Sequence, residues 1–223
     1  MFQSFVRRLS TSARCFDKLY ELRIYSLKPG NIKAAMESSA PAMETRFKHS
    51  PAFGYFFSEI GGLGEAIHVW EYESYAKRAA IRKALAGDAD WIAQATPMLK
   101  LFEKQDNLTM RLFPWSKVQE DVKPGGVYFL YSFTFSPSTS ESTLSQALKE
   151  FIKDADLNAL GVWKEELGKN PLRNAYAVFQ ADEFDSKKNP ALASSAAWSA
   201  LSKYTSDIHG RLLTPAPWSP LWK

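Results

Sequence analysis

The chain has almost no cysteine. Cys15 is the only one in 223 residues, so no intrachain disulfide can form and no cysteine-based zinc site can be assembled. A secreted domain stapled by disulfides is excluded. Histidine is scarce too. His49, His68 and His209 are the full set, and their positions do not make a metal-ligand spacing. No apolar run approaches the ~20 residues that cross a bilayer as a helix, which leaves a soluble chain or one peripheral to a membrane. Signature motifs are also missing: there is no nucleophile elbow, phosphate loop, dinucleotide fingerprint or HExxH. The glycine-rich stretch Gly61-Gly62-Leu63-Gly64 lies between two strand-like runs. It reads as a hairpin turn and not as a phosphate cradle, which needs a strand-to-helix junction.

Charge is present but unevenly placed. The formal balance is +4, and residues 1–16 hold Arg7, Arg8 and Arg14 with no acid. Removing them leaves +1, so the body is nearly neutral and no nucleic-acid partner is expected. Those first residues are rich in Arg and Ser. Phe2, Phe5, Val6 and Leu9 fall on one helical face, with Arg7 opposite. This is the pattern of a mitochondrial transit peptide, with processing expected near Phe16 after the Arg14-Cys15-Phe16 triplet.

The remaining chain states one pattern twice. LYELRIYSL at 19–27 is echoed about a hundred positions later by VYFLYSFTF at 127–135. FGYFFSEI from Phe53 answers to LGVWKEEL from Leu160, AIHVWEY at 66–72 to AYAVFQA at 175–181, and LFPWS at 112–116 to TPAPWS at 214–219. The order is kept. Residues 17–122 and 123–223 therefore read as two similar repeats, with Lys123-Pro124-Gly125-Gly126 between them.

In the first repeat, strands are expected near 19–27, 53–60, 65–72 and 107–113. A helix runs to about Lys48 with Pro41 as a kink or interruption, a second runs from Ser74 to Ala86, and a short one spans Asp90–Thr96. The second repeat gives strands near 127–135, 160–167 and 173–181, with helices at 140–153 and 190–204. It ends in a Pro/Trp-rich tail. The plan is βαββαβ, the split unit of ferredoxin-like folds. Such a sheet has helices on one face and must cover the other. The expected fold is α+β: two tandem ferredoxin-like repeats closing into a dimeric α/β-barrel architecture.

LYELRIYSLKPG, the hairpin FGYFFSEIGGLGEAIHVWEYES and the closing LFPWS resemble the NIPSNAP family. The resemblance runs over roughly residues 18–223 and is strongest in the first half. It implies a tandem barrel fold, mitochondrial association, and a role in marking damaged mitochondria for autophagy through adaptor proteins. It implies no catalytic residue.

Alternation along the first strand puts Tyr20, Leu22 and Ile24 on one face and Glu21, Arg23 and Tyr25 on the other. The apolar set is expected under the helices and the polar set on the barrel-lining face, where Glu21 and Arg23 can pair. His68, Trp70 and Tyr72 alternate along the third strand in the same way. These six, Glu21, Arg23, Tyr25, His68, Trp70 and Tyr72, form the candidate ligand pocket. In the second half Glu21 and Arg23 become Phe129 and Tyr131, and His68 and Trp70 become Ala177 and Phe179. In the tail, Trp218 and Leu221 match the loose aromatic-x-x-aliphatic spacing of autophagy-receptor ligands. Packing of the same residues on the barrel is the competing reading.

Two functions are expected to compete. The first is a non-enzymatic mitochondrial protein that works through protein contacts in quality control, with autophagy adaptors as partners and with homo-oligomers or peripheral membrane association in scope. The alternative is a small-molecule or haem-binding barrel with monooxygenase-like activity. The leader has its own test. A fluorescent protein carrying residues 1–30 is expected to accumulate in mitochondria, and a diffuse cytosolic signal would contradict the transit-peptide reading.

Overall fold

The first strand, Leu19–Leu27 (β1), is rich in β-branched and aromatic residues, and both of its faces are largely buried. Each face therefore needs a covering layer. The computed structural model, which describes residues 18–62, 64–119, 122–123, 125–171 and 173–221, supplies one on each side. The leader with Cys15, Leu63, Trp222 and part of the linker lie outside the described residues.

In chain order the elements are β1, α1 (Ile32–Phe47), β2 (Ala52–Ile60), β3 (Glu65–Tyr72), α2 (Tyr75–Ala86), α3 (Ala89–Leu99) and β4 (Phe102–Leu112). There follow β5 (Val127–Phe135), α4 (Glu141–Asp154), β6 (Ala159–Leu167), β7 (Asn174–Ala181), α5 (Ser195–Ser202) and β8 (Thr205–Pro215). The fold is α+β. All eight strands pair antiparallel in a closed barrel of order β1-β3-β2-β8-β5-β7-β6-β4. Closure removes every sheet edge.

The registers of the two halves match. Glu21 stands opposite Trp70 and Arg23 opposite His68; Phe129 stands opposite Phe179 and Tyr131 opposite Ala177. Each half also clasps the other at equivalent places. After β4, the Phe113 N–H donates to the Val162 carbonyl at 3.1 Å, and Ser116 Oγ accepts the Val162 N–H at 2.9 Å. After β8, the Ala216 N–H donates to the Tyr55 carbonyl at 2.9 Å, and Ser219 Oγ accepts the Tyr55 N–H at 3.0 Å. These bonds satisfy backbone groups beyond the strand ladders. They also give the repeated Pro-Trp-Ser a structural job.

The hairpin between β2 and β3 has a similar steric reason. Gly61 has φ +84°, and a Cβ there would stand 2.0 Å from the Gly210 carbonyl oxygen of β8. Only glycine meets both conditions.

The two faces of the sheet are the reverse of the expected assignment. Tyr20, Leu22 and Ile24 point into the barrel, where they pack with Ile67, Val69, Met110, Tyr128, Leu130, Trp163 and Leu213 from both halves. Side chains fill that interior. The face carrying Glu21, Arg23, Tyr25, His68, Trp70 and Tyr72 is turned to α1, α2 and α3. Alternation separates two faces but does not say which is inner, and here both are buried. Three smaller differences have local causes. β4 begins at Phe102, ahead of the expected 107, through a polar stretch paired by β1, and β8 forms where the sequence placed only the end of a helix and a Pro/Trp-rich tail, its polar first residues Ser206–Asp207 paired by β5. Pro41 does not interrupt α1. The expected helix 190–204 divides into a 3₁₀ turn, Pro190–Leu192, and α5, with Ser194 accepting the Ala197 N–H as the new N-cap.

Candidate functional site

Glu21 is fully buried at the centre of the helix-covered face. A carboxylate there must be paired, and it is heavily so. Its Oε2 accepts from Arg23 Nη2, the Tyr72 hydroxyl and Arg78 Nε, each at 3.1 Å. Its Oε1 accepts from Arg78 Nη2 at 2.6 Å and Asn107 Nδ2 at 3.3 Å. Arg78 comes from the first turn of α2, which Ser74 caps by accepting the Lys77 N–H at 3.1 Å. One carboxylate thus ties β1, β3, β4 and α2 together. Burial alone would raise its pKa; the Arg78 hydrogen bond, with the charge of Arg23, more than reverses this and holds it at about 2.

A second buried cation lies beside this pair. Arg46 of α1 is 2% exposed. It donates to the Tyr72 hydroxyl at 2.9 Å and to Ser50 Oγ, and its guanidinium stacks 3.9 Å from the Trp70 ring centroid. No ion pair links it to a carboxylate among the described residues. Burial lowers its pKa to about 10, so it remains charged at neutral pH.

His68 is held by rings on three sides. Tyr55 stacks on it at 4.7 Å and Tyr25 at 5.1 Å, and Trp70 Nε1–H donates to its Nδ1. Indole N–H only donates, so Nδ1 is an acceptor and the neutral ring carries its proton on Nε2. Burial first, then the charges of Arg23 and Arg46, keep the pKa well below the ordinary value and the ring neutral. The His68 hydrogen bond is made through Nδ1, and the buried Nε–H of Arg23 has no hydrogen-bond partner among the described residues.

These groups line a cavity of about 40 Å³, room for roughly two or three waters or one small polar headgroup. Its floor is Arg23, Tyr25, Arg46, Tyr55, His68 and Trp70; its outer wall is Met43, Trp91, Met98, Leu99 and Phe102. Leu99 is 48% exposed, which places the mouth at the end of α3. A larger groove of about 510 Å³ runs beside β8 near Phe184 and Leu221. It holds Glu59 as its sole charged residue among those described; a groove of about 360 Å³ carries Lys123, Asp182 and Lys188, and the smaller cavity differs from both in having buried charged groups in its lining. A porphyrin is far larger than that cavity, and with Nδ1 accepting from Trp70 the Nε2 of His68 carries the proton and has no free lone pair for iron, so the residues do not fit haem in this arrangement.

Of the six residues read from the sequence, Arg23, Tyr25, His68 and Trp70 line this cavity, under the helices and not in the barrel, while Glu21 and Tyr72 stand beside it in the hydrogen-bonded network that reaches Arg23 and Arg46. Arg46, Arg78, Tyr55 and Asn107 were not foreseen. A signal existed for Arg46. It continues the buried stripe Ala35, Ser39, Ala42 and Met43 of α1, and an arginine on such a stripe needs a partner. His49 instead pairs with Asp88 at 3.0 Å, and His209 with the Gly61 carbonyl. The adjacent Glu165 and Glu166 of β6 point to opposite sides: the first is buried against Tyr176 and Asn174, and the second meets Arg111 at the surface. In the tail, Trp218 packs on Tyr55 and Phe57, and Leu221 is 9% exposed. The spacing offered as an adaptor motif is therefore folded into the barrel. No group of three or more His, Asp or Glu side chains among the described residues gathers to ligate a metal. No helix among them is long and apolar enough to cross a membrane.

The lowered Glu21 pKa makes a stability prediction. A folded pKa near 2 against an ordinary 4.5 corresponds to about 3 kcal/mol. That contribution is present above the ordinary carboxylate range and is lost as pH falls from about 4.5 toward 2. Glu21→Gln is expected to cost about 3–5 kcal/mol at neutral pH and to flatten this acid limb. Urea midpoints measured against pH check it; an unchanged neutral midpoint would contradict the pairing.

Comparison with known proteins agrees with the architecture. The sequence model of the NIPSNAP family matches residues 20–117. Protein NipSnap homolog 3B of Homo sapiens is 30% identical over 226 residues, spanning 95% of this chain and 90% of that protein. Protein NipSnap of Drosophila melanogaster is 32% identical over 92 residues, 40% of this chain and 34% of its own. Among solved structures, one from Fusobacterium nucleatum superposes with TM-score 0.67 at 10% identity, covering 90% of this chain and 93% of its own. That likeness is one of fold alone. Given an identity of 30% carried across nearly the whole length, the chain belongs to the NIPSNAP family.

Proposed function

We propose that this protein binds a small molecule at one site, in the layer between the sheet and α1 and α3 of the first half. The observation that carries the reading is the cavity whose lining brings together Arg23, Arg46 and neutral His68, with the Arg23 Nε–H buried and unpartnered beside it. A buried donor without a partner is costly, and a ligand that accepts from it relieves that cost. The equivalent layer of the second half is packed with Phe129, Tyr131, Phe133, Ala177 and Phe179. Among those residues only Tyr131 carries a polar group, its hydroxyl, and none carries a charge.

The same reading treats the barrel as two tandem ferredoxin-like repeats, closed on each other as two chains close in a dimeric barrel. The matched registers and reciprocal clasps support it. One repeat keeps the site and the other serves as its apolar companion. Import into mitochondria is proposed on the composition of residues 1–16 alone. A role through protein contacts in mitochondrial quality control loses its one linear motif, since Trp218 and Leu221 pack inward. Small-molecule binding is the reading with residues behind it.

A fragment screen followed by ¹H–¹⁵N spectra tests this. Hits are expected to move the indole signals of Trp70 and Trp91, and His68→Phe, which fills the cavity, to abolish the movement. Hits that move second-half signals and leave both indoles in place would contradict the reading.

A further inference from the structure

The layer under α1 and α3 is short of negative charge. Three guanidinium groups, Arg23, Arg46 and Arg78, share one carboxylate, Glu21. Arg78 is 23% exposed in its side chain and can shed part of its field into water. Arg46 cannot, being 2% exposed. Its partners are a hydroxyl, a phenol and a ring face, none of which carries charge at neutral pH. A buried cation without its own anion is strongly unfavourable, so the interior lacks one negative charge. It does not lack two, because Glu21 already answers Arg23.

The cavity also has a direction. Arg23 and His68, directly opposite each other on β1 and β3, both line it; the Arg23 Nε–H is buried without a partner, and His68, engaged through Nδ1, has its Nε2–H to donate. Neighbouring N–H donors beside a cation suit the two oxygens of one planar carboxylate. The neutrality of His68 matters here: it donates through Nε2 without adding a third charge. Toward the mouth the lining turns apolar, through Met98, Leu99 and Phe102. A ligand that satisfies both ends has a charged head and a slim apolar body.

We propose that the ligand of this site is an apolar monocarboxylate, bound head-first with its carboxylate against Arg23, Arg46 and His68 and its body along Met98, Leu99 and Phe102. The proposal rests on the small-molecule reading and names its ligand class. A dianionic phosphate would over-compensate the charge, and an amine would meet Arg46 and Arg23 directly.

Hexanoate, hexanamide and hexylamine, titrated into the full-length protein at neutral pH, separate the outcomes. They share a chain and differ in head charge. Hexanoate is expected to shift the Trp70 and Trp91 indole signals saturably and to bind at least about tenfold more tightly than hexanamide, as a charge-assisted contact requires. Arg46→Gln is expected to reduce the hexanoate-over-hexanamide ratio toward one, because the charge that distinguishes the two head groups is gone. Should the variant fail to fold, the wild-type comparison still decides. Equal binding of hexanoate and hexanamide, or a preference for hexylamine, overturns the carboxylate proposal and leaves the cavity as a site for another ligand. Failure of all three to move the indoles overturns the proposal as well, and fragment hits at the same indoles would then keep the site without it.

Discussion

The structure of the first half turns on one buried carboxylate. Glu21 is inaccessible to solvent, and five donors converge on it from β1, β3, β4 and α2. Desolvating a carboxylate is costly enough that it is tolerated only when paired. That requirement works in both directions. Arg78 can dock α2 against the sheet because Glu21 waits there, and Glu21 can sit under the helices because Arg78 reaches it. Tyr72 extends the network to Arg46 and so to α1, donating to Glu21 while accepting from the guanidinium. The helix layer is therefore positioned by charge as well as by apolar packing.

The second half shows what the same backbone does without that charge. Phe129 and Tyr131 stand where Glu21 and Arg23 do, Ala177 and Phe179 where His68 and Trp70 do, and the register is the same. Helices α4 and α5 then pack through Leu144, Leu148, Phe151 and Leu201. An apolar layer of this kind is closely packed and chemically inert. A barrel of two such halves would be apolar under all its helices; the first half instead places a charged network and a small cavity there. The barrel interior takes no part, since Tyr20, Tyr128, Trp163 and their neighbours fill it.

Much of this could be read from residues. Strands β1, β3, β5 and β7 announce themselves by alternation and by their echo about a hundred positions away, and Arg23, Tyr25, His68 and Trp70, with Glu21 and Tyr72 beside them, are legible because they share one face of two strands. What escaped reading has physical reasons. The first residues of β4 and β8 are polar and exposed, and they are strands because β1 and β5 offer backbone partners. The inner and outer faces of β1 were exchanged because burial on both sides leaves no solvent face to orient the pattern. Arg78 and Asn107 reach Glu21 across long stretches of sequence, and only the closed topology brings them there. Arg46 was legible in principle, as a charge on the buried stripe of α1.

The central claim is that the anion-seeking site lies under the helices of the first half and nowhere in the barrel interior. Anomalous diffraction from crystals of the full chain soaked in bromide tests it most directly, since the ion is small enough for the cavity and reports both place and sign. The account predicts a peak among Arg23, Arg46 and His68. Bromide absent there while ordered elsewhere on the protein, or seated between the two halves inside the barrel, would contradict it.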